Sequence, residues 1–148
     1  MVALTRLGGV WPRPVREHLT AVATPSFVAT PSFTLVRDDG AVVCRSCRSA
    51  ATFFSRLRGL LGRRGLAEHE GLLIQPTSSI HTFFMRFALD VAFLDPDDCV
   101  VKLVPGLRPW HVSFARGARS ALELSAGEIA RRELRVGDIL QPVAARGS

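Results

Sequence analysis

Six side chains in this sequence have the types and positions to do chemistry: His81, Arg86, Asp90, Arg108, Trp110 and Glu123. Asp90 stands inside Ile80 to Asp95, the most apolar run of the chain. A carboxylate among apolar neighbours must find hydrogen-bond or charge partners, or take up a proton. Arg86 is the nearest cation in sequence. The two either form a structural ion pair or both face a ligand. Glu123 lies between Leu122 and Leu124, so in a strand it leaves the face those leucines bury. It is then a solvated carboxylate, or it converges with Asp90. Two carboxylates near a histidine could do acid/base work. His81 shares a strand face with Phe83 and Met85, either as a core-edge histidine or as a contact for an anionic group. Arg108-Pro109-Trp110 is a rigid loop carrying a cation and a large aromatic. Such a pair stacks a flat ligand or covers one end of a β domain.

Other patterns carry less. Cys44-Arg45-Ser46-Cys47 has the CxxC spacing of zinc and redox sites. A zinc site needs a second ligand pair, and Cys99, His69 and His81 do not supply paired spacing. Positions three apart in a regular strand also point to opposite faces, so the reading is two unrelated thiols. No metal and no cofactor is expected. Arg56, Arg58, Arg63 and Arg64 cluster on and after a predicted helix, where they read as a solvated face or a phosphate contact. The sequence has no GxGxxG, P-loop, G-x-S-x-G or HExxH.

The elements that must position these residues are short. The run from Ile80 to Asp95 fits two strands with a break near Phe87, because its aromatic and β-branched residues hold no helical period. In Leu89 to Leu94, Leu89, Val91 and Phe93 share one face, and Asp90, Ala92 and Leu94 the other. Upstream, Thr34 to Arg37 and Ala41 to Arg48 flank Asp38-Asp39-Gly40 as a hairpin. Thr52 caps a predicted helix with an apolar stripe of Phe53, Phe54, Leu57, Leu60 and Leu61. Gly71 to Ile74, Cys99 to Val104, Ala118 to Leu124 and Ile139 to Pro142 are further strands. Pro105-Gly106 is expected to stop one of them. Ser125-Ala126-Gly127-Glu128 has the form of a capping box for a second helix ending near Leu134. The expected fold is mainly β, an antiparallel sandwich or partly closed barrel of about eight short strands with two short peripheral helices.

Composition sets outer limits. The chain of 148 residues suits one β-rich domain, expected over residues 34–143. Residues 1–33 read as a disordered or extended tail, in which Val22–Phe27 repeats at once as Val28–Phe33. Residues 144–148 read as a frayed end. The net charge is +6, yet nearly all basic residues are arginines, which fits a coding bias as well as phosphate contacts. Nucleic acid is therefore disfavoured as a partner. No apolar run approaches a membrane span, so no membrane is expected either. Cysteine usage and the lack of an apolar leader suggest the cytoplasm.

Several local patterns occur together. Thr52-x-x-x-Arg56-x-x-Gly59-Leu60-Leu61-Gly62-Arg63 precedes Gly71-Leu72-Leu73-Ile74. His81-Thr82-Phe83-Phe84-Met85 and Leu89 to Asp95 follow. Then come Pro109-Trp110, Leu122-Glu123-Leu124-x-Ala126-Gly127 and Gly137-Asp138. In this order the chain resembles the domain-of-unknown-function 192 family over roughly Val42 to Gln141. The resemblance implies a compact, mainly β domain and no particular activity. Leu61 stands where many members have methionine, and the Met85 to Asp90 segment is shorter than in members with a longer loop. Two function classes remain: a non-catalytic module binding a small molecule or protein, and a small acid/base enzyme using Asp90 or Glu123 on an anionic substrate.

Overall fold

The structure, a computed structural model, describes residues 32–51, 60 and 63–144. Apart from Leu60, which is helical and buried, the helix expected after Thr52 lies outside the described residues, as do residues 1–31 of the expected tail. Phe33, the last residue of that expected tail, is in the first strand.

Nine strands build the described part. They are β1 (Phe33–Arg37), β2 (Val42–Ala50), β3 (Glu70–Ile74), β4 (Ser79–His81), β5 (Leu89–Leu94), β6 (Val100–Leu107), β7 (Val112–Phe114), β8 (Ser120–Ser125) and β9 (Leu140–Val143). Seven form one sheet in the order β6-β5-β8-β3-β2-β1-β9, and β4 pairs with β7 in a small second sheet. The large sheet is not a closed barrel. Among the described residues, Cys99 and Ile139, just before its two edge strands, form an isolated bridge. The architecture is sandwich-like and mainly β.

β5 is buried along its whole length, which its nearly continuous apolar sequence demands. Alternation sends its side chains into two cores. Ala92 and Leu94 join Leu35, Val43, Leu73, Leu122, Leu124 and Leu140 on one face. Leu89, Val91 and Phe93 join Leu72, Ile74, Ile80, Met85, Leu107 and Ala121 on the other. The hairpin of β1 and β2 forms as expected, with Gly40 at φ 87° in its turn.

The structure departs from the sequence reading in four places. β2 and β3 run parallel, a pairing that the long connection between them permits and a tight turn would not. β6 continues through Pro105-Gly106, since it is an edge strand and takes the pair as a bulge, with Gly106 at φ 63°. β7 lies where a loop was expected. The capping box does not form. Gly127 is the N-cap of α1 (Glu128–Arg131), at φ 95°, and Glu128 is bonded to Arg131 and Arg132 instead.

Candidate functional site

Asp90 finds its partners in the backbone. One carboxylate oxygen accepts the Gly106 N–H at 2.8 Å, and the other accepts the N–H groups of Gly127 at 3.0 Å and Ile129 at 2.8 Å. Asp90 thus ties the β6 bulge to the start of α1. It is almost wholly buried, whereas Arg86 is exposed. Among the described residues the two form no ion pair, so of the two alternatives the Arg86 ion pair is not made, and three amide donors stand in its place.

Glu123 is also fully buried, not solvated. It does not meet Asp90. The register sets Asp90 opposite Leu124 and Val91 opposite Glu123. Asp90 therefore shares the face of Ala92 and Leu94, and Glu123 the face of Val91 and Ala121. A sheet one residue thick separates the two carboxylates.

The other candidates gather at the small sheet. His81 stacks on Phe83 with centroids 4.8 Å apart, Phe83 lies 6.0 Å from Trp110, and Phe84 meets Trp110 edge-on at 4.9 Å. His81 pairs across to Val112, and Ser79 to Phe114, so Val112 and Phe114 continue the same face. Phe84, Trp110, Val112 and Phe114 are each about 60–70 % exposed. Lys102 closes one end, with Nζ 5.5 Å from the Phe114 ring centroid and 2.8 Å from the Phe114 carbonyl oxygen.

Thr82 holds this ridge together from beneath. Its hydroxyl donates to the Arg108 carbonyl at 2.6 Å and accepts the His111 N–H at 2.9 Å. The Trp110 N–H donates to the Thr82 carbonyl at 3.0 Å, and the Thr82 N–H to the His111 carbonyl at 2.9 Å. Two loops, 82–86 and 108–111, are thereby locked to one another. Both carry an aromatic residue in the left-handed region, Phe84 at φ 65° and Trp110 at φ 63°. The Arg108 side chain is exposed beside this clamp.

The cysteine pair lies elsewhere and corrects the parity argument. Phe33 pairs with Cys47 and Leu35 with Cys44, so β2 carries an extra residue between them. Arg45 and Ser46 both donate to the His69 carbonyl at that bulge. Cys44 and Cys47 consequently enter the same core. The Cys44 thiol beside it and burial push the Cys47 thiol upward, the condition of an inert buried thiol. Arg63 pairs with Glu70 at 2.7 Å. A shallow charged groove of about 290 Å³ is lined by Arg37, Asp38, Asp39, Glu133, Arg135 and Asp138, none of them a predicted site residue. Arg37 holds Asp39 down at about 2 there.

The profile of the DUF192 family, described as an uncharacterized ACR, matches residues 34–142. This chain belongs to that family. A UPF0127 protein of Thermococcus sibiricus is 36% identical over 95 residues, spanning 60% of this chain and 60% of that protein. Two solved structures share the fold. A putative transcription regulator from Sinorhizobium meliloti superposes with a TM-score of 0.67 at 21% identity, covering 79% of this chain and 98% of the other. A protein of unknown function from Novosphingobium aromaticivorans gives 0.63 at 24% identity, covering 74% and 83%.

Within this DUF192 domain the sequence reading named His81, Arg108 and Trp110 at the ridge and missed Thr82, Phe84, Val112 and Phe114. The apolar alternation of Val112 and Phe114 about Ser113 was the available signal for β7. Nothing local could have announced the left-handed backbone at Phe84.

Proposed function

We propose that this chain is a small non-catalytic binding or interaction module whose working surface is the ridge of Phe83, Phe84, Trp110, Val112 and Phe114. The observation that carries the reading is the backbone at Phe84 and Trp110. A bulky residue in the left-handed region costs about 1–3 kcal/mol. Both side chains are largely exposed, so the strain is not offset by burial in this domain. A partner that covers the rings would offset it. His81, Arg86, Arg108 and Trp110 are the proposed contacts, and the partner is a small molecule or a protein. Asp90 and Glu123 are assigned to the interior. The acid/base alternative loses support because these carboxylates lie on opposite faces of the sheet and Asp90 is occupied by amides. Cysteine usage keeps the cytoplasm as the expected setting.

A thermal-shift screen of wild type and Trp110→Gly tests the module. Stabilising compounds are expected whose shift disappears in the variant. Turnover of any substrate that is lost in a folded Asp90→Asn or Glu123→Gln protein would overturn the reading.

A further inference from the structure

The ridge is continuous. Ring contacts run Phe84–Trp110–Phe83–His81, and strand register carries the face on to Val112 and Phe114, where Lys102 sits. The two segments that build it, residues 75–89 and 101–119, contain Arg86, Lys102, Arg108, Arg116 and Arg119 and no acidic residue. The side chains of Arg86, Arg108, Arg116 and Arg119 are exposed. The two segments that form this large apolar surface thus carry exposed cations and no carboxylate of their own, although ten acidic residues stand elsewhere after residue 64.

That combination selects the occupant. A second copy would bring two cationic surrounds face to face, and like charges oppose such an interface. Single-stranded nucleic acid needs ring faces on which bases stack. Here Phe84 and Trp110 meet at 61°, Phe83 and Trp110 at 32°, and the ridge continues into aliphatic Val112, on which no base stacks. A phospholipid surface fits both features. Trp and Phe side chains partition into the region between head groups and acyl chains, and basic residues gain from anionic head groups. We propose that the aromatic ridge seats this protein on anionic membrane surfaces, with Phe84, Trp110 and Phe114 entering the head-group region and Arg86 and Arg108 contacting phosphates. The expectation of no membrane partner rested on the absence of a spanning run. No helix among the described residues is long and apolar enough to cross a membrane. A surface that lies on the bilayer needs none.

The proposal rests on the ridge being the working surface, and the experiment keeps the two apart. Full-length protein is sedimented with vesicles of phosphatidylcholine alone and of phosphatidylcholine with phosphatidylglycerol. Binding to the anionic vesicles is expected to be at least about tenfold stronger and to weaken with salt. Arg86→Gln and Arg108→Gln should each lower it about fivefold. Phe84→Gly and Trp110→Gly should each lower it on both vesicle types while the melting temperature holds or rises, because glycine relieves the strained backbone. The chain has two tryptophans, Trp11 and Trp110. In a Trp11→Phe background, lipids brominated near the head group should quench Trp110. Failure to bind anionic vesicles, or tighter capture of oligo(dT) or polyglutamate than of vesicles, overturns the lipid assignment and leaves the ridge with a different partner. Vesicle binding that survives both glycine variants overturns the ridge as well.

Discussion

The end of β5 around Asp90 and the ridge around Trp110 reverse the usual partition of side chains in opposite senses. At Asp90 a charged group is buried. At Trp110 a large apolar group is exposed. The first is compensated inside the fold, since three backbone N–H groups converge on two carboxylate oxygens. The second is not, since its loop holds it in strained backbone and leaves it in water. In this respect the architectural residue and the proposed working surface differ. A buried polar group whose hydrogen bonds close within the domain is satisfied there and does not call for a ligand. An exposed apolar group at a conformational cost has its compensation still to find.

The largest expected effect breaks the comparison at the sealed end. Asp90→Asn replaces one acceptor oxygen by a donor. If the remaining oxygen keeps Gly127 and Ile129, the new amide faces the Gly106 N–H. A donor then opposes a donor in a part-buried site, and a charge-assisted bond is lost. The expected cost is about 3 kcal/mol, read by urea denaturation. An unchanged or raised stability would mean that Asp90 is held at a cost for a ligand, and the interior assignment would fall.

Thr82→Val is next, at the joint beneath the ridge. It removes one hydroxyl and leaves the part-buried His111 N–H without that acceptor and the Arg108 carbonyl without that donor. About 2 kcal/mol should be lost. Hydrogen exchange should quicken at Trp110 and His111 more than in β5 and β8. Uniform quickening across the sheet would show that the clamp belongs to the global core rather than to the ridge.

Phe84→Gly should act with the opposite sign. Glycine occupies a φ of 65° without steric cost, and little burial is forfeited by a mostly exposed ring. A gain of about 1 kcal/mol is expected in a thermal or chemical melt. A clear loss would mean that Phe84 stabilises the domain itself, which removes the chief reason to regard the ridge as a surface for a partner.

What could be read in advance follows the range of each interaction. The two cores were legible because Leu89 to Leu94 carries its partition in the alternation of neighbours. The hairpin at Gly40 was legible because turn chemistry is local. The partners of Asp90 were not, because they are backbone amides at Gly106, Gly127 and Ile129, and an amide donor leaves no mark in residue type. The opposite faces of Asp90 and Glu123 required the register between β5 and β8, which sequence does not fix. Parity failed at Cys44 and Cys47, where one bulged residue turns both thiols into the same core. Trp110 was identified by its loop and its size. Its exposure depended on how the Thr82 clamp holds two loops together.

Asp98 offers the smallest effect and the sharpest contrast with Asp90. Both are partly or wholly buried aspartates. Asp90 is surrounded by amide donors, whereas Asp98 sits in the turn before β6 beside Asp95 and Asp97. Burial, followed by the charges of those two neighbours, raises the Asp98 carboxyl from 3.8 to about 6. Between these values the folded protein holds a proton that the unfolded chain has released. Stability from this group is therefore present at low pH and is lost as pH rises through about 6. Asp98→Asn cannot titrate. The variant should be more stable than wild type near neutral pH, and the gap should shrink towards the value at which the unfolded carboxyl also binds its proton. Asparagine also tolerates the φ of 61° at this position, but that benefit does not depend on pH. The informative quantity is thus the slope of the gap, taken from thermal melts over a pH series. A gap independent of pH would show that solvent screens Asp98 from its neighbours. Neither burial nor the neighbouring charges would then raise the Asp98 carboxyl, and the contrast with Asp90 would be that of a solvated carboxylate with one enclosed by amide donors.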